Sequence, residues 1–532
     1  MTDTTPRDDN RFFWLIISAI LLLTRVPASA RYLSIDNVNL AFALENFNPL
    51  VHQPQPPGYP FFVGFARAVN FLVRDPQVTF LVISVLVSAL CLPFAFALGR
   101  RMFSPWAGKA GVLLLLVTPV FWFSALDGPL RQYLALFSLI TAYCAWRCWN
   151  GEKQFLLWGA VALGIGSGFR PDLLPLLFPL WGVAAWVGTR SASALIKGCA
   201  IIGAIVLVWV GALALAVGGA SELYGLIAGY AMEQSSSESV LLGAAQQGWA
   251  RQMSRLVIWN GLAVIVWLWA APFFARSNAR MKLSSVQGLF MMTWLVPGLI
   301  VQALTHMAAP GHTLFATPAL CILGAYVLSV AFSPVERREL GLSAALVFSL
   351  MLFLNFFELP DAAAGAGGIQ RIKNVLSFAT FETSLSGVRW LDQTTAVGLK
   401  EAATFRAADR PTLIVSTDVH YQQWFTNWRI ARYYLPDQEM WIVADQMMPP
   451  MAQRIQRDRY LETISGPLVR VPVPRGGRVL WLLEQNGPFH QALSKVKALS
   501  GGTQVFHTDI GADDLPFRVL NFEFVPTGAG SH

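Results

Sequence analysis

Long apolar runs alternate with short polar segments over the first two thirds of the chain. A membrane-spanning helix needs about 20 apolar residues, and by that measure the pattern predicts about eleven spans. The predicted spans are residues 12–30, 78–98, 110–126, 130–149, 155–169, 173–188, 199–217, 256–274, 286–305, 313–332 and 340–357. The N-terminal leader contains acids as well as bases, which is atypical of a signal peptide. We therefore expect the first run to be an anchor and not a cleaved signal peptide, the alternative interpretation.

Residues 58–73 are apolar but short, and Arg67 lies near their middle. We expect a juxtamembrane helix in the membrane interface there, not a span. With this segment left out, five basic clusters fall in loops on one side: Arg100, Arg101 and Lys109; Arg147 and Lys153; Arg190 and Lys197; Arg276, Arg280 and Lys282; Arg337 and Arg338. Basic loops mark the cytoplasmic side, so the pattern predicts a cytoplasmic N-terminus and an external C-terminal domain.

After Phe357 the composition becomes that of a soluble protein. Short β-type runs at 412–416, 441–444 and 479–483, with a helical pattern at 423–434, predict an α/β domain. The predicted fold class is an α-helical polytopic membrane protein with a C-terminal soluble α/β domain. The predicted domains are residues 1–358 and 359–532.

Composition supports the membrane assignment, since 55% of the residues are hydrophobic and 13% charged, against about 25% charged in ordinary soluble domains. The formal charge of +8 first suggests nucleic acid. The cations instead lie in short clusters between apolar runs, and no nucleic-acid motif occurs, so this class is excluded. The five cysteines lie in or beside apolar runs without disulfide or zinc spacing, and we expect them to be core residues.

The first external loop holds the most informative carboxylate. Asp36 follows the first span closely, and Ser34 or Asp36 is expected to cap a helix that continues to Phe47. From the local pattern alone, Asp36 is either a plain helix cap or a functional acid at the membrane surface.

Several motifs resemble the glycosyltransferase-C superfamily, in particular bacterial relatives of protein O-mannosyltransferases and lipid A aminoarabinose transferases. They are Asp36-Asn37, the Ala-Leu-Glu-Asn-Phe helix, the segment from His52 to Pro60, the turn from Leu98 to Phe103, Asp127, and Gly168 to Asp172. The chain departs from many relatives at Gln55, where they have His. The resemblance implies a GT-C-like fold and a polyprenyl-phosphate sugar donor.

The resemblance also implies that Asp36 is the catalytic base that takes the proton from the acceptor hydroxyl. General-base help of this kind contributes roughly 10²–10⁴ in rate. A single displacement assisted by one carboxylate predicts inversion at the anomeric carbon, in line with the oxocarbenium-like chemistry of related sugar reactions.

Further external or near-external residues are predicted to bind substrate: Arg25, His52, Tyr59, Asp127, Arg170, Asp172 and His306. The Arg170 guanidinium suits phosphate oxygens, or it forms an ion pair with Asp172. Arg25 lies within or at the edge of a span, so it is either functional or snorkels to the interface. Asp127 is either a turn residue or shares a divalent cation (Mg or Mn) with Asp36. His306, one of a pair of histidines around a turn, is either a site residue or structural.

The predicted function is therefore a membrane glycosyltransferase. It would move a monosaccharide from a polyprenyl-phosphate donor to a glycan, lipid or protein acceptor at the outer face of the bacterial cytoplasmic (inner) membrane. The C-terminal domain would be periplasmic and would cover the site or recruit the acceptor. One alternative is a transporter or flippase of lipid-linked saccharides, which predicts charged residues near the midplane, whereas here they lie at outer ends and loops. Another is a glycan polymerase or ligase that uses a lipid-linked oligosaccharide.

Overall fold

The computed structural model describes residues 10–235, 248–277, 283–305, 309–332, 335–356, 379–417, 424–445 and 447–528. The chain divides into two compact units. The first, the helical unit, comprises Met1–Ser29 and Phe47–Val388, and the second, the C-terminal unit, comprises Ala30–Asn46 and Arg389–His532. The predicted domain boundary between residues 358 and 359 lies outside the described residues. The segment Ala30–Asn46, which carries Asp36, groups with the C-terminal unit, which the sequence pattern did not indicate.

The helices follow one another closely along the described chain. In chain order they are α1 (Arg11–Arg25), α2 (Ile35–Glu45), α3 (Pro60–Val73), α4 (Pro76–Met102), α5 (Pro105–Val117), α6 (Pro119–Asp127), α7 (Gln132–Trp149), α8 (Phe155–Phe169), α9 (Leu173–Thr189), α10 (Ala192–Val217), α11 (Ala220–Ser235), α12 (Gly248–Leu268), α13 (Ala271–Arg276), α14 (Ser285–Leu304), α15 (Thr317–Ala331), α16 (Val335–Phe353), α17 (Leu385–Phe405), α18 (Trp428–Tyr434) and α19 (Pro488–Ser494). Short 3-10 helices cover Pro49–Val51 and Pro310–Phe315.

Each of the eleven apolar runs falls on one or two of these helices. In the described parts of the chain, α4, α10 and α14 are long and apolar enough to cross a membrane, and the bent pair α5 and α6 can count as a fourth span. Shorter apolar helices are α3, α8, α9 and α15. The chain is thus a multi-pass membrane protein with a mostly helical fold, while the number of eleven spans stays a prediction.

The break between α5 and α6 has a local cause. Pro119 has no backbone N–H to donate and Thr118 is extended, so the two helices meet at an angle of 52°. Arg25 is fully buried beside this break. Its guanidinium donates to the carbonyl of Leu116 and lies 4.4 Å from the centre of the Trp122 ring. These contacts hold α1 against the broken helix.

The C-terminal unit contains two sheets. Their strands are β1 (Thr412–Thr417), β2 (Met440–Ala444), β3 (Met451–Gln456), β4 (Arg459–Ser465), β5 (Val469–Val473), β6 (Arg478–Leu482), β7 (Ser500–Gly501), β8 (Val505–Asp509), β9 (Phe517–Val519) and β10 (Phe522–Pro526). The larger sheet is mixed, with seven strands in the order β4-β3-β2-β1-β6-β8-β7, and the smaller has three in the order β5-β10-β9.

The centre of the large sheet is parallel, with β1 between β2 and β6, and the outer pairs are antiparallel. The three strands expected from the sequence correspond to β1, β2 and β6 and are confirmed. Strands β2 and β6 are almost continuously buried, and the second half of β1 is buried, as expected for central strands covered on both faces. The expected helix at 423–434 is shorter and begins at Trp428, while residue 423 lies outside the described residues.

Candidate functional site

The turn between α8 and α9 presents a two-pronged ion pair. Arg170 leaves the end of α8 in an extended conformation and is 7% exposed. Its Nε donates to Asp172 Oδ1 at 3.0 Å, and its Nη2 donates to Asp172 Oδ2 at 2.6 Å. Such a fork fixes the plane of a guanidinium as well as its position. The ion-pair interpretation of Arg170 is therefore confirmed, and the same geometry pre-orients the cation for a further anion.

The carboxylate of this pair is held ionised. Partial loss of hydration raises the pKa of Asp172, but the charge and hydrogen bonds of Arg170 together with the nearby His312 outweigh it, so that the pKa is below its ordinary value of 3.8. The turn between α8 and α9 therefore keeps a fixed charge pair at neutral pH.

The Tyr59 ring lies near the Arg170 guanidinium. The Arg170 Cζ atom is 5.8 Å from the centre of the Tyr59 ring, within the range of a cation–π contact. Tyr59 is the N-cap of α3 and has a positive φ of 45°. His52 also has a positive φ, 59°, and its ring centre lies 6.1 Å from that of Tyr230. Non-glycine residues with positive φ are uncommon and concentrate at functional sites, so both outliers mark this loop as a site candidate.

An apolar groove lies between α3, α8 and α10. Its volume is about 570 Å³, and its walls include two residues from each helix: Phe61, Phe65, Ile165, Phe169, Ile205 and Val208. Phe169 directly precedes Arg170 in the chain, and Pro60, which also lines the groove, directly follows Tyr59. The groove is thus adjacent in sequence to a cation and a tyrosine.

Asp127 and Arg131 belong to the turn between α6 and α7. Asp127 is the half-buried last residue of α6, and the turn continues through Gly128. The Arg131 side chain covers Gly311, since a Cβ at Gly311 would lie 2.4 Å from Arg131 Cδ. The close packing brings this turn next to the 3-10 helix Pro310–Phe315. His312 of that 3-10 helix lies close enough to Asp172 to help lower the pKa of its carboxyl group.

Glu382 lies near two arginines, a proximity that the sequence pattern did not predict. Arg255 and Arg131 both lie close enough to act on its charge, although Glu382 is more than a hundred residues from either in sequence. Its surroundings carry no motif, and only the folded chain reveals the proximity. A buried amide chain supports the same region, with Gln252 donating to the carbonyl of Gln302 at 2.6 Å and Gln302 donating to that of His312 at 2.7 Å.

The structure places the remaining predicted residues as follows. Asp36 belongs to the C-terminal unit and is the half-buried second residue of α2, so the alternative that it is a plain N-cap is wrong. Ser34 occupies the N-cap position but its side chain makes no capping hydrogen bond. Asp36 lies in the first turn, where a negative charge is favoured by the helix dipole. Arg25 lies at the α5–α6 break, and His306 lies outside the described residues.

The described residues contain no group of three or more His, Cys, Asp or Glu side chains arranged to hold a metal ion.

The helical unit matches a known family in part. Residues 54–215 match the model of the family described as dolichyl-phosphate-mannose-protein mannosyltransferase. This stretch includes Tyr59, Asp127, Arg170 and Asp172, and it begins after Asp36. A search of curated protein sequences finds no match.

The fold is similar to that of ArnT from Cupriavidus metallidurans. The crystal structure of ArnT bound to undecaprenyl phosphate matches with a TM-score of 0.52 and 12% identity, and the apo structure with 0.51 and 13%. Both matches cover 82% of this chain and 93% of that chain. The Archaeoglobus fulgidus oligosaccharyltransferase in its apo form gives a TM-score of 0.39 at 12% identity, over 80% of this chain and 64% of that chain. The resemblance to the glycosyltransferase-C superfamily is confirmed, and the fold is GT-C-like.

Proposed function

We propose that this chain is a membrane glycosyltransferase that moves a monosaccharide from a polyprenyl-phosphate carrier to a glycan, lipid or protein acceptor. The observation that carries the proposal is the Arg170–Asp172 fork beside the apolar groove of α3, α8 and α10. A polyprenyl phosphate combines a long apolar chain with one anionic head. A cation whose chain neighbour lines an apolar groove offers both kinds of contact.

The fold similarity supports this donor class. The ArnT structure was solved with undecaprenyl phosphate bound, and the family model that matches residues 54–215 describes transferases that use dolichyl-phosphate mannose. Arg170 would hold the donor phosphate, and Asp172 would keep its guanidinium oriented. Tyr59, His52 and Asp127 belong to neighbouring turns of the helical unit and are proposed to bind the sugar and phosphate.

Asp36 is the proposed general base. Its carboxylate would accept the proton of the acceptor hydroxyl while the acceptor oxygen attacks the anomeric carbon and the prenyl phosphate leaves. One displacement inverts the anomeric configuration.

The other predicted residues keep narrower roles. Arg25 and His306 are proposed substrate-binding residues. Arg25 would act through the shape of the α5–α6 break, because its side chain is fully buried there. A divalent cation, Mg or Mn, would bind carboxylate and phosphate oxygens if the enzyme uses one.

The proposed location is the bacterial inner membrane, with the N-terminus in the cytoplasm and the C-terminal domain in the periplasm. The basic loops between the predicted spans support this orientation. On that side of the membrane a lipid-linked sugar is the available donor, because nucleotide sugars are cytoplasmic.

A donor panel tests the proposal. The purified protein in liposomes is supplied with a radiolabelled polyprenyl-phosphate sugar, a polyprenyl-diphosphate oligosaccharide or a nucleotide sugar, together with cell-envelope acceptors. We expect label transfer and release of polyprenyl phosphate with the first donor alone. Transfer only from the diphosphate would indicate a polymerase or ligase. Movement of the intact labelled lipid between leaflets without sugar transfer would indicate a flippase and would overturn the proposal.

A further inference from the structure

Backbone amides of the segment before α2 donate hydrogen bonds to side chains in the rest of the C-terminal unit. The amides of Arg31 and Tyr32 donate to Asp392 Oδ1 at 2.6 and 3.2 Å. The amide of Leu33 donates to the Tyr434 hydroxyl at 2.6 Å. Three successive amides are thus held by two side chains that lie about 360 and 400 residues further along the chain.

The two anchoring side chains are themselves fixed. Asp392 is 5% exposed, and its second oxygen accepts from Arg389 at 2.7 Å. The Tyr434 ring makes edge-to-face contacts with Tyr32 at 5.4 Å and with Tyr433 at 5.0 Å between ring centres. Neither anchor can shift without disturbing its own neighbours, so the amides they hold are held at a defined place.

Contacts further along α2 secure the rest of the helix. The Phe42 ring packs 4.3 Å from the guanidinium carbon of Arg432 and 5.5 Å from the Tyr433 ring. Arg432 is 1% exposed and is also flanked by the rings of Trp428 and Tyr460. At the end of the helix, Arg457 donates to both oxygens of Glu45, at 2.9 and 3.0 Å. The helix is therefore held by the buried side chains of Asp392 before its start and Arg432 at its middle, whereas the exposed pair at its end adds little.

We infer that Asp392 and Tyr434 are positioning residues for the reaction, because they fix the start of the helix whose first turn carries Asp36. This inference rests on the proposed function of Asp36 as the base. Asp36 follows the anchored Leu33 by three residues, so any movement of these amides moves the carboxylate with them. A displacement of about 1 Å at a reacting group can cost about 100-fold in rate. The C-terminal unit then has a direct part in catalysis.

Two substitutions remove the anchors. Asp392→Ala deletes the acceptor of two amides, and Tyr434→Phe deletes a single hydroxyl while keeping the ring contacts. We expect each to lower kcat by about tenfold or more while the donor KM stays close to wild type, since the anchors act on the base and not on donor binding. Asp392→Asn keeps an acceptor oxygen and is expected to restore much of the loss.

The matched control is Asp509→Ala. Asp509 is also a carboxylate of this unit that pairs with arginine, through Arg478 and Arg410, but it pairs far from the anchored segment in sequence. We expect it to leave kcat unchanged. Amide hydrogen exchange of residues 30–36 provides a readout that does not depend on activity, and exchange there is expected to accelerate in Asp392→Ala and Tyr434→Phe but not in the control.

The outcomes separate this inference from the proposed base. Full activity of Asp36→Asn would remove the base itself, whatever the anchors do. An inactive Asp36→Asn enzyme, combined with faster exchange but wild-type kcat in Tyr434→Phe, would overturn the positioning role alone. If Asp392→Ala fails to fold, Tyr434→Phe decides, because it removes one oxygen atom and no packing volume. An equal fall of kcat in the Asp509→Ala control would also overturn the inference, since the loss would then be general.

Discussion

The helical unit and the C-terminal unit use charge in different ways. In the helical unit two Arg–carboxylate forks stand at opposite ends of α8, with Arg147 and Glu152 before it and Arg170 and Asp172 after it. On the sheets of the C-terminal unit, pairs such as Arg470 with Glu523 join neighbouring strands and are partly exposed. Exposed pairs of the second kind contribute about 0–1 kcal/mol. Charge in an apolar helical unit therefore points to membrane boundaries and sites, whereas charge on a sheet surface carries little functional information.

The largest effect on the transfer rate is expected within α2. Its two acids differ in role, since Asp36 is the proposed base and Glu45 is a partner in an exposed ion pair. Asp36→Asn should lower the rate of transfer by roughly 10²–10⁴, because the amide cannot accept the proton. Glu45→Gln, at the other end of the helix, should stay near wild type because Glu45 pairs with Arg457 at an exposed position. Transfer rates at saturating donor measure both. Equal losses in the two variants would mean that α2 is only sensitive to charge, and full activity of Asp36→Asn would exclude it as the base.

The two forks of the helical unit should respond differently to the same change. Arg170→Lys is expected to raise the donor KM by roughly 10- to 100-fold, the equivalent of one charge-assisted hydrogen bond, because lysine cannot form the fork. Arg147→Lys breaks a matching fork to Glu152 at the other end of α8 and should leave the donor KM unchanged. A steady-state titration of polyprenyl-phosphate sugar compares them. Similar KM values for both variants would remove Arg170 from the donor site.

Packing in the helical unit can be tested separately from charge with two glycines of α9. A Cβ at Gly188 would lie 2.0 Å from the carbonyl oxygen of Cys148, so Gly188→Ala forces α7 and α9 apart. We expect about 1–3 kcal/mol of destabilisation. Gly182 has no atom within 4 Å of such a Cβ, and Gly182→Ala should be neutral or stabilise by up to about 1 kcal/mol. Thermal unfolding in detergent measures the difference, and equal midpoints would contradict this helix packing.

The smallest effect concerns Asp509 on the sheet surface. The hydrogen bond from Arg478 lowers its pKa to about 2, against some loss of hydration and with help from Arg410. A carboxylate with a depressed pKa stabilises the fold above its ordinary value of 3.8, and that contribution disappears as the pH falls towards 2. We expect Asp509→Asn to lower the free energy of unfolding slightly near pH 5, by roughly 0.5 kcal/mol or less. The difference should shrink towards about pH 3. A gap that widens on acidification would contradict the assigned shift.

Local sequence patterns located much of the fold. Apolar runs placed the helices, because a helix in lipid satisfies its own backbone and needs only length and hydrophobicity. The break at Pro119 and the end of α2 at Glu45, short of the expected Phe47, depend on backbone geometry at single residues. The helix expected within residues 58–73 is α3, which begins at Pro60. Its location in the membrane interface stays a prediction.

Features set by distant contacts were not predictable. The segment Ala30–Asn46 belongs to the same unit as Arg389–His532. Hydrogen bonds from its backbone to Asp392 and Tyr434 join the two parts, and no local pattern encodes that pairing. Glu382 near Arg131 and Arg255 was missed for the same reason. The antiparallel strands β3, β4 and β8 contain no long apolar run and no regular alternation of apolar and polar residues, so they are recognised only by their partner strands.

The anomeric configuration of the product tests the central claim most directly. The transferred sugar is compared with the same sugar on the polyprenyl phosphate by the one-bond carbon–proton coupling at the anomeric carbon. A single displacement with Asp36 as base predicts inverted configuration in every product molecule. Retained configuration would require a second displacement through an enzyme-bound sugar and would contradict the account.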